Sequence, residues 1–335
     1  MKAVDVERDI ESLEPAAQQD YLDQVAAVAQ SVSIAALEQA VADNDQSRIL
    51  ELLALGLLLN LTVRLRTTYT TGATKELAGI KIPGMRPELD MNGQEVNSFL
   101  SAQAIAIREQ AALEQALAIS VALTEGRAAG LGARSIALNL AGRLSKQTGR
   151  RVGGMIGVSG TAAEAIEKAR LQLGSGDPAM LKAYLQRIAR DRRFDGAVQA
   201  AILGGEPVPK EVLDKALGAY AEKLLAVQAQ TIAQTAVAEA YNKGREEGWK
   251  QLTDRSNGLY TYIKTWRTRM DGKERRTHGA MNGQKVEKDQ PFHSPSGAML
   301  MFPCDSSLGA PLSERARCRC VAEYSLKKNV QAVQQ

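Results

Sequence analysis

His278, one of only two histidines in the 335-residue chain, and the three cysteines, Cys304, Cys318 and Cys320, are the side chains best suited to chemistry. Together they make a Cys3His set, and zinc favours such soft donors in a tetrahedron. His293 is the alternative donor should Cys304 not take part. The Cys318-x-Cys320 spacing is a less regular clip than Cys-x-x-Cys, and reduced thiols packed in a small core are the simpler expectation. A nucleophilic centre would need Cys318 or Cys320 beside His278, with Asp271 to orient the ring. No local protease signature surrounds these cysteines. The expectation is therefore no enzyme and no cofactor, with zinc the one ion the set could hold.

The stretch RTRMDGKERRTHGAMNGQKV, 267–286, surrounds His278 with cations. Arg269, Arg275 and Arg319 can pair with Asp271, Glu274 and Asp305, because a guanidinium meets a carboxylate in two parallel bonds. Trp266 and Phe292 supply apolar bulk, and His278 satisfies a backbone carbonyl. The expected structural network is thus Trp266, Arg269, Asp271, Arg275, His278, Phe292, Asp305 and Arg319. Lys264, Lys273, Arg276 and Lys285 remain as exposed cations able to touch DNA phosphate without reading sequence.

Short strands must position these residues. GLYTYIKTWRTRM alternates, with Tyr260, Tyr262 and Lys264 interleaved with Leu259, Thr261 and Ile263, and is rich in β-branched and aromatic residues. SPSGAMLMFP and CRCVAEYS read as two further strands. Upstream the chain is helical. Residues 1–66 carry two or three helices broken at Asn44–Asp45, and 67–93 reads as a Thr/Gly/Pro-rich linker. Ile49–Val63 is too short to span a bilayer and predicts a buried helix. A helix from Gln94 to Glu125 follows, ending near Gly126, then shorter helices between glycine-rich turns, one capped at Ser159 or Thr161. GGMIGVSG lacks the Lys-Ser/Thr of a phosphate loop. Arg187, Arg190, Arg192 and Arg193 form a basic helix end. After Pro209 comes the longest helix, about 210–250. Its apolar seam, Leu213, Leu217, Tyr220, Leu224 and Val227, gives way to a polar stripe of Thr231, Gln234, Thr235 and Glu239 that suits a groove, another subunit or solvent.

The expected fold is mainly α, an extended helical body with a small C-terminal α+β module. The divisions are 1–92, an N-terminal helical region; 93–254, the body; 255–325, the module; and 326–335, a tail. Net charge is only +4, so the whole protein is no obvious nucleic-acid binder, although cations concentrate after residue 255. Clustered cysteines in odd number argue against a disulfide scaffold, and MKAVDVERDIESLEP lacks the apolar stretch of a secretory signal. A cytoplasmic origin is expected.

Trp266, Arg269, Asp271, Arg275, His278, Asn282-Gly283, Pro291-Phe292, SPSG, the Phe-Pro before Asp305 and the terminal Cys-Arg-Cys occur here in one order. Upstream stand ARDRRFD and a long helix ending in AYNKGREEGW. In this the chain resembles the Mu F-like minor head proteins, a family of phage head morphogenesis proteins, over roughly residues 105–325. It departs from them at Arg317, where relatives commonly have Asn, at Cys304, where they commonly have Gly, and at Gln234-Thr235-Ala236, where Arg-Thr-Glu is usual. The resemblance implies a minor virion protein in the head interior near the portal, reached from the host cytoplasm during assembly. Implied partners are the portal protein, a capsid or scaffold protein and packaged double-stranded DNA bound non-specifically. No membrane takes part in assembly, and several copies per virion are expected. Two other readings stand beside it: a virion-packaged hydrolase or transferase using His278 and a cysteine, and a generic DNA-binding module.

Overall fold

Long runs of alanine, leucine and glutamine favour helix, and the computed structural model, which describes residues 1–56 and 58–329, is mainly α-helical with a small C-terminal region of β-sheet. The helices are α1 Ala3–Ser31, α2 Ile34–Ala42, α3 Gln46–Leu52, α4 Leu59–Leu77, α5 Gln94–Ala128, α6 Ala133–Ala141, α7 Gly160–Gly174, α8 Pro178–Leu185, α9 Asp195–Gly204, α10 Lys210–Asp254, α11 Arg276–Met281 and α12 Leu312–Arg315. The strands are β1 Arg143–Leu144, β2 Arg151–Val152, β3 Tyr260–Arg267, β4 Lys285–Glu287, β5 Phe292–His293, β6 Met299–Leu300 and β7 Val321–Lys328.

The break at Asn44–Asp45 has a simple cause. Asn44 takes a left-handed turn, φ 57°, and the Asp45 carboxylate caps α3 by accepting from Arg48 N at 2.9 Å. Two expectations need correction. Ile49–Val63 is not one helix: α3 ends at Leu52, Gly56 and Leu58 have positive φ, and α4 begins at Leu59 (Leu57 lies outside the described residues). The expected linker at 67–93 is helical as far as Leu77. Thr67, Thr70 and Thr71 donate their hydroxyls to carbonyls four residues back, which keeps these polar side chains compatible with a helix. Among the described residues no single helix is long and apolar enough to cross a membrane.

The chain forms two compact units, one of Met1–Asp20, Leu59–Ile107 and Gln230–Gln335, the other of Tyr21–Leu58 and Arg108–Ala229. The blocks 1–92, 93–254 and 255–325 are therefore not the compact units; chain segments interleave, because α1, α5 and the 45-residue α10 each contribute to both. The expected tail at 326–335 begins inside β7, and its residues 330–335 lie outside those described.

In the second unit Ser159 caps α7, accepting from Ala162 N, as its position before an amphipathic run predicts. The basic helix end is neutralised locally: Arg190 grips Asp195 through two bonds of 2.9 and 3.0 Å, and Arg193 pairs with Asp191 at 2.6 Å.

The first unit holds the candidate site. Its sheet is antiparallel in the order β4-β3-β7, with β3 central. Leu77, Ile82, Trp249, Leu252 and Tyr262 form a buried cluster on which Tyr324 stacks, its ring 6.0 Å from that of Trp249. The polar stripe of α10 is half-buried at Thr231 and Gln234 and buried at Thr235 and Glu239, with its side chains engaged by the C-terminal segment and α5. Gln234 Oε1 accepts from Arg317 Nε at 2.8 Å, Thr235 Oγ1 accepts from Arg317 N at 3.1 Å, and Glu239 accepts from Gln103 and from Ser306 N.

α4 and α10 cross closely through small residues. A Cβ on Gly244 would lie 2.0 Å from Tyr69 O, and one on Gly72 would lie 2.4 Å from Tyr241 O. Neither obstacle is a flexible side chain, so the helices would have to separate. Helix propensity favours alanine over glycine by about 1 kcal/mol, but overpacking costs about 1–3 kcal/mol or more. Gly244→Ala is therefore expected to lower unfolding free energy by about 1–3 kcal/mol in urea titration. An unchanged or raised midpoint would show that the helices are not in this contact.

Candidate metal-binding site

β3 sets the site. Its side chains alternate, so Tyr262, Lys264 and Trp266 share the buried face. Lys264 is the largest departure from expectation: it is 0 % exposed and so cannot meet DNA. Its Nζ donates to Glu246 Oε1 at 2.9 Å and to Met301 O at 2.8 Å. A buried ammonium needs that much compensation. Lys273, Arg276 and Lys285, the other expected DNA contacts, are exposed.

Two residues beyond Lys264, Trp266 donates its Nε1–H to Thr268 Oγ1 at 3.1 Å. Its ring meets His278 and Phe292 edge-on, with centroids 5.5 and 5.1 Å apart. His278 sits on α11 and is 1 % exposed. It does not bond a backbone carbonyl, as its role in the expected network required. Its Nε2 lies 2.9 Å from Glu314 Oε2, at the short helix α12. With Nε2–H donating to that carboxylate, Nδ1 turns its lone pair the other way. There it meets Cys318 Sγ at 3.4 Å and Cys320 Sγ at 3.5 Å. The donor atoms of His278, Cys318 and Cys320 all lie within 4.8 Å of one another, and the triad could hold a metal ion.

This overturns the expectation that the region is architecture without a reaction centre. An imidazole oriented by a carboxylate and aimed at two thiols is an arrangement consistent with metal binding or thiol chemistry. The electrostatics agree. The neighbouring Cys304 and Cys320 thiols pull the Cys318 pKa well down, burial opposes them, and His278 adds to the lowering. The Cys304 and Cys320 thiols are pushed up in return, chiefly by that bond to Cys318 and by burial. Burial works against a charged His278, yet the Cys318 sulfur and Glu314 hold its pKa above the usual value. Of the three thiols, Cys318 is the one whose surroundings favour the deprotonated form, the form that ligates and attacks.

Cys304 stands beside the triad rather than in it. Its Sγ donates to Cys318 O at 3.5 Å, and its φ is +70°, the left-handed region that favours glycine. His293, the alternative donor, is exposed on β5. The arginine network is only partly the expected one. Arg319 grips Asp271 through two bonds of 2.6 and 2.8 Å, and Arg269 reaches Asp271 at 3.4 Å as well as Glu7 and Glu11. Arg275 instead donates to the Ala316 carbonyl, and Asp305 accepts from Met301 N and Ser307 N, tying its own loop. Asp271 does not orient His278; Glu314 does. Sequence reading missed Glu314, and its only signal was a carboxylate a few residues before Cys-Arg-Cys. A cavity of about 30 Å³ borders His278 and Cys320 and is rimmed by Lys273, Glu274, Arg275 and Arg317 among others.

Two measurements check these placements. Lys264→Met leaves buried Glu246 with only the more distant Lys243, at 3.9 Å, and should cost about 3–5 kcal/mol in urea unfolding; adding Glu246→Leu should recover most of it. A small loss for the single variant would place Lys264 at the surface. The hydrogen bonds from Arg319 hold Asp271 down from 3.8 to about 2. A depressed carboxylate contributes stability that is present above its ordinary pKa and lost as pH falls through about 2. Carbon-detected NMR should therefore give Asp271 a midpoint near 2, and Arg319→Ala should return it toward 3.8. An ordinary midpoint in the parent protein would exclude the pair.

No protein-family model, no curated protein and no solved structure matches the chain.

Proposed function

We propose that the C-terminal module is a zinc centre held by His278, Cys318 and Cys320, with hydrolytic or group-transfer chemistry, in a protein of the phage head. The carrying observation is the pair of distances from His278 Nδ1 to the two sulfurs, 3.4 and 3.5 Å. Zn–N and Zn–S lengths of about 2.05 and 2.3 Å give a tetrahedral N···S edge of ~3.6 Å. The triad therefore already has close to the spacing the ion requires. Glu314 supplies the outer carboxylate that ligating histidines usually have, and the Cys318 pKa is drawn down toward the ligating form.

Three protein ligands leave a fourth position, the pattern of reactive rather than closed zinc sites. When bound, the ion supplies Lewis acidity. His278 and Cys320 border the cavity, and Lys273 on its rim, for which no carboxylate partner is seen among the described residues, favours an anionic substrate such as a phosphate ester.

The ordered motifs shared with phage head morphogenesis proteins favour a second element of the reading, the place where the centre works. Portal, capsid or scaffold protein and packaged DNA are then its neighbours, and Lys273, Arg276 and Lys285 are the exposed cations that would meet phosphate. Mass spectrometry of purified virions tests that placement, and absence of the chain from virions removes it.

Purified without chelator, the protein should carry about one zinc per chain. Cys318→Ser, Cys320→Ser and His278→Ala should each lose most of it, whereas Cys304→Gly should keep it. Chelation should lower the melting temperature of the parent protein, because metal bound only by the folded state stabilises it. A metal-free protein that takes up no added zinc would remove the centre.

A further inference from the structure

A groove within the second unit is shaped by α1, the β1–β2 hairpin and α10. Its volume, about 650 Å³, falls inside the ~300–1,000 Å³ typical of sites for small organic molecules. The floor is apolar: Val25, Ala29 and Ile156 are buried in it, and Leu225 closes one side. The walls are braced without a ligand. Gln30 on α1 clamps the hairpin, donating through Nε2 to Gly149 O at 3.1 Å and accepting from Arg151 N at 3.1 Å. Just past the hairpin, a Cβ at Gly153 would lie 2.4 Å from Gly218 Cα on α10, so backbone already presses on backbone.

Charge is sorted along this groove. Arg150 and Arg151 line its hairpin end, and Arg150 is exposed. Arg151 Nη1 donates to Gly142 O at 3.2 Å, and among the described residues neither guanidinium has a carboxylate partner. Asp23 lines the groove two turns of α1 before Gln30, about 10.5 Å away at the rise of a helix. Glu222 on α10 also lines it, and partial burial pushes that carboxyl above its usual value. An anionic head is therefore drawn to the hairpin and turned away from Asp23. None of the lining side chains is aromatic, so a flat ring such as a nucleobase would find nothing to stack on, whereas an aliphatic chain suits the floor.

We propose that this groove binds a monomeric organic amphiphile, its alkyl chain on the Val25–Ile156 floor and its carboxylate or phosphate head at Arg150 and Arg151. A guanidinium meets either head through two parallel hydrogen bonds. The site is independent of the His278 centre, which lies in the other unit.

Isothermal titration calorimetry of the full chain tests it, with octanoate, decanoate and decyl phosphate below their micelle-forming concentrations. Each anion should saturate one site per chain, and the carboxylates should bind about fourfold more tightly per added methylene. Arg150→Glu should weaken decanoate ~10–100-fold, the size of a lost charge-assisted hydrogen bond, and decyltrimethylammonium, the same chain with the opposite charge, should be weaker by as much. Ala26→Trp fills the groove from an exposed position on α1 and should abolish binding. Both positions are on the surface, so both variants should keep the parent melting temperature. Preference for one anionic head over the other supports the site and identifies the head. Three results overturn the proposal: no saturable binding of any of the anions, equal binding of the cation, or parent affinity in either variant.

Discussion

A lysine ammonium shut away from water must be matched by a carboxylate, and that requirement ties α10 to the C-terminal sheet. Lys264 projects from the central strand onto Glu246 of α10 and onto the carbonyl of Met301. One turn of α10 thereby fixes both β3 and the loop that leads to Cys304. A second buried pair, Arg245 with Glu76 at 2.9 Å, joins the same stretch of α10 to α4, and Trp249 Nε1 donates to the other oxygen of Glu76 at 3.1 Å. Burying these charges is expensive, and apolar residues of the same size would often be no less stable. What the charges supply is uniqueness. An ammonium with two acceptors tolerates no slip of β3, and a slip of one residue would turn Trp266 away from His278.

Much of this was open to inspection in the residues. The β3 alternation was visible, and so was the long helix after Pro209. The same alternation places Lys264 on the face of Tyr262, yet its charge argued for solvent. The mistake came from weighing residue type above position. AYNKGREEGW misleads in the same direction, because Asn242, Arg245, Glu246 and Glu247 are all buried there. Their partners, Glu76 and Lys264 among them, are supplied by distant segments that no local pattern announces. Glycine in TTYTTGATKEL reads as a break; it is a contact point, and the difference depends on Tyr241 lying across it. The His–Cys–Cys set was legible as residue types. Its true orienting carboxylate was not, because Glu314 reaches His278 only through the packing of α12 on α11.

Replacing Asp271 by Glu314 beside the histidine alters what the site can do. Asp271 lies nearer the surface, and its oxygens are committed to Arg319 and Arg269. A carboxylate so engaged would have little basicity left for an imidazole. Glu314 is 6 % exposed and also receives the hydroxyls of Thr277 and Ser294, each at 3.4 Å. Those contacts fix the carboxylate, the carboxylate fixes the ring, and the ring presents Nδ1 to the sulfurs. The arginine pair and the histidine pair thus divide the labour: one secures the loop at the surface, the other sets a tautomer in the interior.

Cys304 shows how finely the sulfur chemistry is divided. A non-glycine residue at φ +70° carries a backbone cost on the order of 1 kcal/mol, which glycine there would avoid. The cost brings a third sulfur to Cys318. Cys304 and Cys320 beside it pull the Cys318 pKa down, and their own thiols are pushed up in return. Three equivalent buried thiols would share no such preference, and a lone thiolate in that interior would be expelled by its own desolvation. Asymmetry among the cysteines, with a strained turn on one side and His278 on the other, is what singles out Cys318 as the thiol whose pKa is drawn down.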